Sequence, residues 1–216
     1  MSATTVVYVH GIWMPGHEML FVKYRLQAEH GFPGLLFDYP SVGGTLDDNA
    51  DLLAQFIEDS VTGAAHLVGH SLGGVLCLRA LSRHAGIGVE RVVCLGSPLR
   101  GSRAAAVLEG HGWGNAILGK TITAGVVQEA ASQWASGVTG RHEVGVIAGN
   151  VGIGLGKIVT SFEGENDGTV AVSETRLDGL TDHLVMPINH TGLILSRSVA
   201  DQAAAFLKRG EFLRET

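Results

Sequence analysis

Val68-Gly69-His70-Ser71-Leu72-Gly73-Gly74 places a Gly-x-Ser-x-Gly pentapeptide between an apolar run and a helical pattern. A serine in that setting can serve as a nucleophile. A strand that turns sharply at the serine and enters a helix holds the hydroxyl exposed above the sheet edge. The flanking glycines suit a strained turn that a β-carbon would crowd. The chain holds 31 glycines, and chance alone yields about 0.3 such motifs in this length, so the surroundings must carry weight. They do: Ala65-His66-Leu67-Val68 reads as a buried strand, and Val75, Leu76, Leu78, Arg79 and Leu81 continue as a helix.

A nucleophilic serine needs a base and an acid. In a strand-turn-helix architecture of this kind the chain order is serine, then Asp or Glu, then His. Downstream, Gly164-Glu165-Asn166-Asp167-Gly168-Thr169-Val170 is a polar, Gly-flanked loop that carries an acid. Leu184-Val185-Met186-Pro187 then reads as a strand, and Ile188-Asn189-His190-Thr191-Gly192 as the loop beyond it. Asp167 and His190 therefore suit a triad with Ser71: the imidazole takes the serine proton, and the carboxylate fixes its tautomer and steadies its charge. Singly, Asp167-Gly168 is a common turn dipeptide, and His190 is one of 10 histidines. Their order and placement lift them above that background. Asp178 and Asp182 are competing acids, but Asp182 falls at the far end of the last strand.

Thr4-Thr5-Val6-Val7-Tyr8-Val9 is a β-branched run that predicts a central strand. It ends in His10-Gly11-Ile12-Trp13, where a glycine lets the backbone turn inward. The N–H groups of Ile12 and Leu72 would then converge on a developing oxyanion. Leu72 also opens a helix, whose free N–H groups and dipole favour negative charge. Trp13 and Met14, directly beyond, are the best candidates to touch a substrate. His70 beside the nucleophile and Ser97 of the Ser97-Pro98 turn complete the expected pocket wall.

The elements that must position these residues are six strands, at Thr4–Val9, Leu35–Asp38, Ala65–Val68, Arg91–Leu95, His142–Ala148 and Leu184–Pro187. Helical patterns fall at His17–Glu29, Leu46–Glu58, Leu72–Arg83, 101–135 and Leu193–Lys208. Such alternation predicts an α/β fold of βαβ units, with right-handed crossovers and helices on both sheet faces. Sites in these sheets lie beyond the carboxyl ends of the strands, where Ile12, Ser71, Asp167 and His190 all fall.

The segments VVYVHGIW, LVGHSLGG, CLGSPLRGS, ENDGTVAV and INHTGLILS, spread from the start to near the end, together resemble the α/β-hydrolase superfamily. The nearer likeness is to its compact bacterial lipase- and esterase-like serine hydrolases. The resemblance implies a minimal α/β-hydrolase fold of about six mostly parallel strands, because the chain starts at what would be the third strand of the full fold. It also implies one domain over residues 1–216 and hydrolysis of carboxylic esters through a Ser71-Asp167-His190 triad and an acyl-enzyme, with no cofactor. The same residues would serve a thioesterase, an amidase or an acyltransferase. A hydrolase fold kept as a non-catalytic binding module is the reading from a different class, since fold alone never implies activity.

Residues 101–140 exceed a simple crossover and suggest a small cap or lid. Ile122, Val126, Ala130 and Trp134 recur every four residues as an apolar stripe that could also simply cover the sheet, and Trp113 is a further cap candidate. The net charge of -6 and pI near 5.9 argue against nucleic acid, which calls for a basic face. The expected partner is a small-molecule or lipid ester. No apolar run has membrane length, and without a basic, hydrophobic leader the expected location is cytoplasmic. Cys77 and Cys94 read as buried free thiols, not a disulfide or metal pair. No metal site is expected, and the Gly-rich run from Gly149 to Gly156 misses dinucleotide-binding spacing.

Overall fold

A computed structural model of the chain describes residues 4–101, 131–152 and 164–214. Within them, β1 (Thr5–Val9), β2 (Gly34–Phe37), β3 (Ala65–His70), β4 (Val89–Leu95), β5 (Glu143–Gly149) and β6 (Asp182–Met186) form one sheet of order β2-β1-β3-β4-β5-β6. Every pairing is parallel, as the βαβ pattern requires.

Strand periodicity separates the two faces. Successive side chains point to opposite sides of a strand, so Val7 and Val9 of β1 enter the larger core while Val6 and Tyr8 enter the other. The larger core lies under α2 (Leu46–Ser60) and α3 (Leu72–Arg83). The smaller lies under α1 (Leu20–His30) and α4 (Arg197–Arg209). Thr45 starts α2 with a reciprocal cap: its Oγ1 accepts the Asp48 N–H at 3.0 Å, and Asp48 Oδ2 accepts the Thr45 N–H at 3.3 Å. Asp47 and Asp51 on α2 pair with Arg79 and Arg83 on α3, which fixes the two helices side by side.

Two helices expected to be continuous are broken. A 3-10 turn, Gly16–Met19, precedes α1, and a turn at Gly192–Leu195 precedes α4. Ser196 is extended there, and its Oγ accepts the Val199 N–H to cap α4. The periodicity runs through both breaks because the turns bury apolar residues on the same face. Trp113, Ile122, Val126 and Ala130 of the expected cap lie outside the described residues. Trp134 is within them, packed against the larger core, with the Arg79 guanidinium 5.0 Å above its ring. Cys77 and Cys94 are free and buried. Among the described residues, no helix is long and apolar enough to cross a membrane.

Burial has a consequence for acid stability. It is the largest influence on His66, His70, His142 and His183 and holds each below the ordinary histidine value, with His183 lowered to about 4. The folded chain therefore binds fewer protons at these sites than the unfolded chain, and stability rises with pH across the interval between the two values. The contribution is complete above the unfolded value of 6.5 and is lost as pH falls through each folded value, which for His183 is about 4. Melting temperature should fall by several degrees between about pH 7 and about pH 5. A flat profile over that window, measured by circular dichroism, would rule the linkage out.

Candidate active site

β3 ends at His70 and α3 begins at Leu72, so one residue makes the whole turn. Ser71 takes φ 52 and ψ -122, a conformation costing roughly 1–3 kcal/mol that the surroundings must impose. Two hydrogen bonds impose it: Ser71 N–H donates to Leu95 O at 2.8 Å, and Gly74 N–H donates to Ser71 O at 3.1 Å. Close approach completes the constraint. A β-carbon on Gly69 would lie 2.5 Å from Gly74 N, and one on Gly73 would lie 2.2 Å from Val9 O.

The acid and base meet beside this turn. Asp167 is buried, and its Oδ1 accepts the N–H groups of Thr169 and Val170 at 2.9 and 2.7 Å. Its Oδ2 accepts the Nδ1–H of His190 at 2.7 Å, and its carbonyl accepts the His190 N–H at 2.9 Å. An acceptor-only carboxylate leaves Nδ1 as the protonated nitrogen and Nε2 as the base. Gly96, at φ 58, turns the chain beneath the pair: a β-carbon there would sit 3.1 Å from both Asp167 Oδ2 and His190 Nδ1. The His190 ring lies 4.8 Å from that of His70, the residue before Ser71. Of the competing acids, Asp178 is exposed and pairs with Arg100, and Asp182 binds Arg214 and the Phe212 N–H at the opposite end of β6.

The loop after β1 approaches from the other side. A β-carbon on Gly11 would be 3.3 Å from Ser71 Cβ, so this loop abuts the elbow. Ile12 follows, its side chain packed on the larger core. Among the described residues neither the Ile12 N–H nor the Leu72 N–H has an acceptor, and Leu72 is the first residue of α3, where helix amides lack internal partners. Trp13, at φ 60, and Met14 are exposed on the same loop, at 51% and 45%. The Trp13 N–H donates to Ser41 Oγ at 3.2 Å.

Two residues expected on the pocket wall are buried. Ser97 is fully buried against the first turn of α3, where a β-carbon on Gly74 would lie 2.1 Å from its Oγ. His70 is 5% exposed, and its Nδ1 bonds Glu18 Oε1 at 2.9 Å. In both cases the chain packs α3 and the 3-10 turn directly over the strand ends, which leaves those side chains no open face. Glu18 itself was not legible in the sequence. Its nearest signal is an acid seven positions past Gly11, whose N–H it accepts at 2.7 Å.

The chain thus sets a serine on a strained strand-to-helix turn above the carboxyl edge of a parallel sheet, with an Asp-bound imidazole close to the preceding His70. A sequence profile of the alpha/beta hydrolase family matches residues 6–145. The chain belongs to that family. No match is found among curated proteins. Among solved structures, the chain is similar to the mature lipase BlEst2 of Bacillus licheniformis, at 20% identity and a TM-score of 0.74, covering 98% of this chain and 93% of that one. It is also similar to the metagenomic carboxyl esterase MGS0156, at 16% identity, a TM-score of 0.71, and 97% and 75% coverage. A thermophilic esterase from Thermogutta terrifontis shares 15% identity with a TM-score of 0.61, covering 97% and 91%. These likenesses establish the fold.

Proposed function

We propose that the chain hydrolyses carboxylic esters by an acyl-enzyme route, with Ser71 as nucleophile, His190 as general base and acid, and Asp167 as the carboxylate that orients it. The observation that carries this reading is the 2.7 Å bond from His190 Nδ1 to the buried Asp167 Oδ2, beside a serine held at φ 52. That bond leaves Nε2 free to accept the Ser71 proton as the hydroxyl attacks the ester carbonyl. The Ile12 and Leu72 amides receive the negative charge that develops on the carbonyl oxygen. His190 then protonates the departing alcohol, and water cleaves the acyl-enzyme by the same sequence of transfers. Ester substrates are further supported by the structural likeness to a lipase, a carboxyl esterase and an esterase. Trp13 and Met14, exposed beyond Ile12, are the surface against which the acyl or alcohol group would rest.

Labelling by a fluorophosphonate, followed by turnover of nitrophenyl esters of increasing chain length, tests the reading. Wild type should label and turn over, and Ser71→Ala should lose labelling and at least about 10^4 of kcat. A well-folded wild type that neither labels nor turns over would return the chain to the binding-module reading. Turnover of thioesters or amides in preference to esters would keep the site and change the substrate class.

A further inference from the structure

Glu18 lies outside the residues that the proposed reaction uses, yet its placement ties two of its parts together. It sits on the 3-10 turn Gly16–Met19 with its side chain 2% exposed. One atom, Oε1, accepts both the Gly11 N–H at 2.7 Å and the His70 Nδ1–H at 2.9 Å. Gly11 precedes Ile12 by one residue, and His70 precedes Leu72 by two. The two amides expected to bind the oxyanion thus hang from the two groups that one carboxylate oxygen holds.

We propose that Glu18 is a positioning residue for the oxyanion hole, its buried carboxylate clamping the loop after β1 to the end of β3 so that the Ile12 and Leu72 amides keep a fixed separation. The inference rests on the ester-hydrolase reading above. Geometry supplies its physical basis. The loop after β1 leaves the sheet at Val9 and has no ladder to hold it, and a preorganised hole works only if its donors do not relax when charge appears. A buried charge is retained in proteins where it is fully hydrogen-bonded, because losing one partner strands the others. Burial by itself would raise the Glu18 pKa, but the hydrogen bonds from His70 Nδ1–H and the Gly11 N–H outweigh it, and the net direction is down. The carboxylate is therefore ionised and accepts from both donors. Burial, its largest influence, lowers the His70 pKa, and the ring stays neutral with its proton on Nδ1. A second full cation is thus kept away from the imidazole that must charge during the reaction. Among the described residues His70 Nε2 is buried without a hydrogen-bond partner, so Glu18 is the group that sets the orientation of this ring.

Three substitutions separate reach from charge. Glu18→Gln keeps an oxygen at the same distance and removes the charge. Glu18→Asp keeps the charge and loses one methylene of reach. Glu18→Ala loses both. A clamp predicts kcat lowered about 10- to 100-fold in Glu18→Asp and Glu18→Ala, with KM within about twofold, and recovery to within about threefold of wild type in Glu18→Gln, less than the loss of a whole oxyanion donor. If Glu18→Ala does not fold, the Asp and Gln variants decide the matter by the same ordering. Wild-type kcat in Glu18→Asp, a change in KM alone, or a Gln variant as slow as the Asp variant would overturn the clamp. Fluorophosphonate labelling of Ser71 in the wild type separates the two failures. Labelled wild type with unaffected Glu18 variants defeats only the clamp, whereas unlabelled wild type defeats the ester-hydrolase reading and the clamp with it.

Discussion

Asp167→Asn should lower kcat on nitrophenyl esters by about 10^4 while the protein stays folded, the size of effect expected when the base is held in the wrong tautomer. The reason lies in what Oδ1 already does. It accepts the N–H groups of Thr169 and Val170, so an asparagine must leave its carbonyl oxygen there and turn its NH2 toward His190. Two donors cannot face each other across the 2.7 Å now occupied by the His190 bond. The imidazole then moves its proton to Nε2 and presents a lone pair to the amide. A protonated Nε2 cannot take the Ser71 proton. Binding contacts are untouched, so KM should stay close to wild type. Steady-state kinetics alongside a thermal melt check this, and a folded variant within about tenfold of wild-type kcat would remove Asp167 from its assigned role.

Gly73→Ala should cost about 3 kcal/mol or more of stability and most of the activity of whatever folds. A β-carbon there would lie 2.2 Å from Val9 O and 2.5 Å from His10 O, and both obstacles are backbone. Val9 cannot retreat, because it pairs with Phe37 of β2 on one side and Gly69 of β3 on the other. The first turn of α3 must therefore lift from the end of β1, which moves the Leu72 amide away from Ile12. Urea unfolding and ester turnover measured together test both halves. A variant with wild-type midpoint and rate would show that the elbow is looser than this packing implies.

Much of the fold was legible in the sequence, because the signals involved are short-range. The β-branched run at Thr5–Val9, the apolar run at Ala65–Val68 and the helical spacing of Val75, Leu76 and Leu78 each specify an element from neighbouring residues. The elbow was legible for the same reason, since the glycines flanking Ser71 answer a constraint within a few residues. Less legible were the interruptions at Met19 and Ser196, where a 3-10 turn and a capped turn carry the same apolar face as a continuous helix. The role of side chains near the site was the least legible. His70 precedes Ser71 and Ser97 follows the fourth strand, yet packing of α3 and the 3-10 turn buries both.

What the sequence by itself determined is the α/β class of the sheet, the elbow at Ser71 and the chain order that singles out Asp167 and His190. Each follows from local backbone preference and from the alternation of strands and helices. Only the tertiary structure decided which groups meet: that Asp167 reaches His190 across 23 positions, and that one oxygen of Glu18 binds both Gly11 and, across 52 positions, His70. Such contacts depend on strands far apart in the chain lying side by side, with β1 against β3. No local pattern encodes that adjacency; it arises when the two faces of a parallel sheet are buried at once.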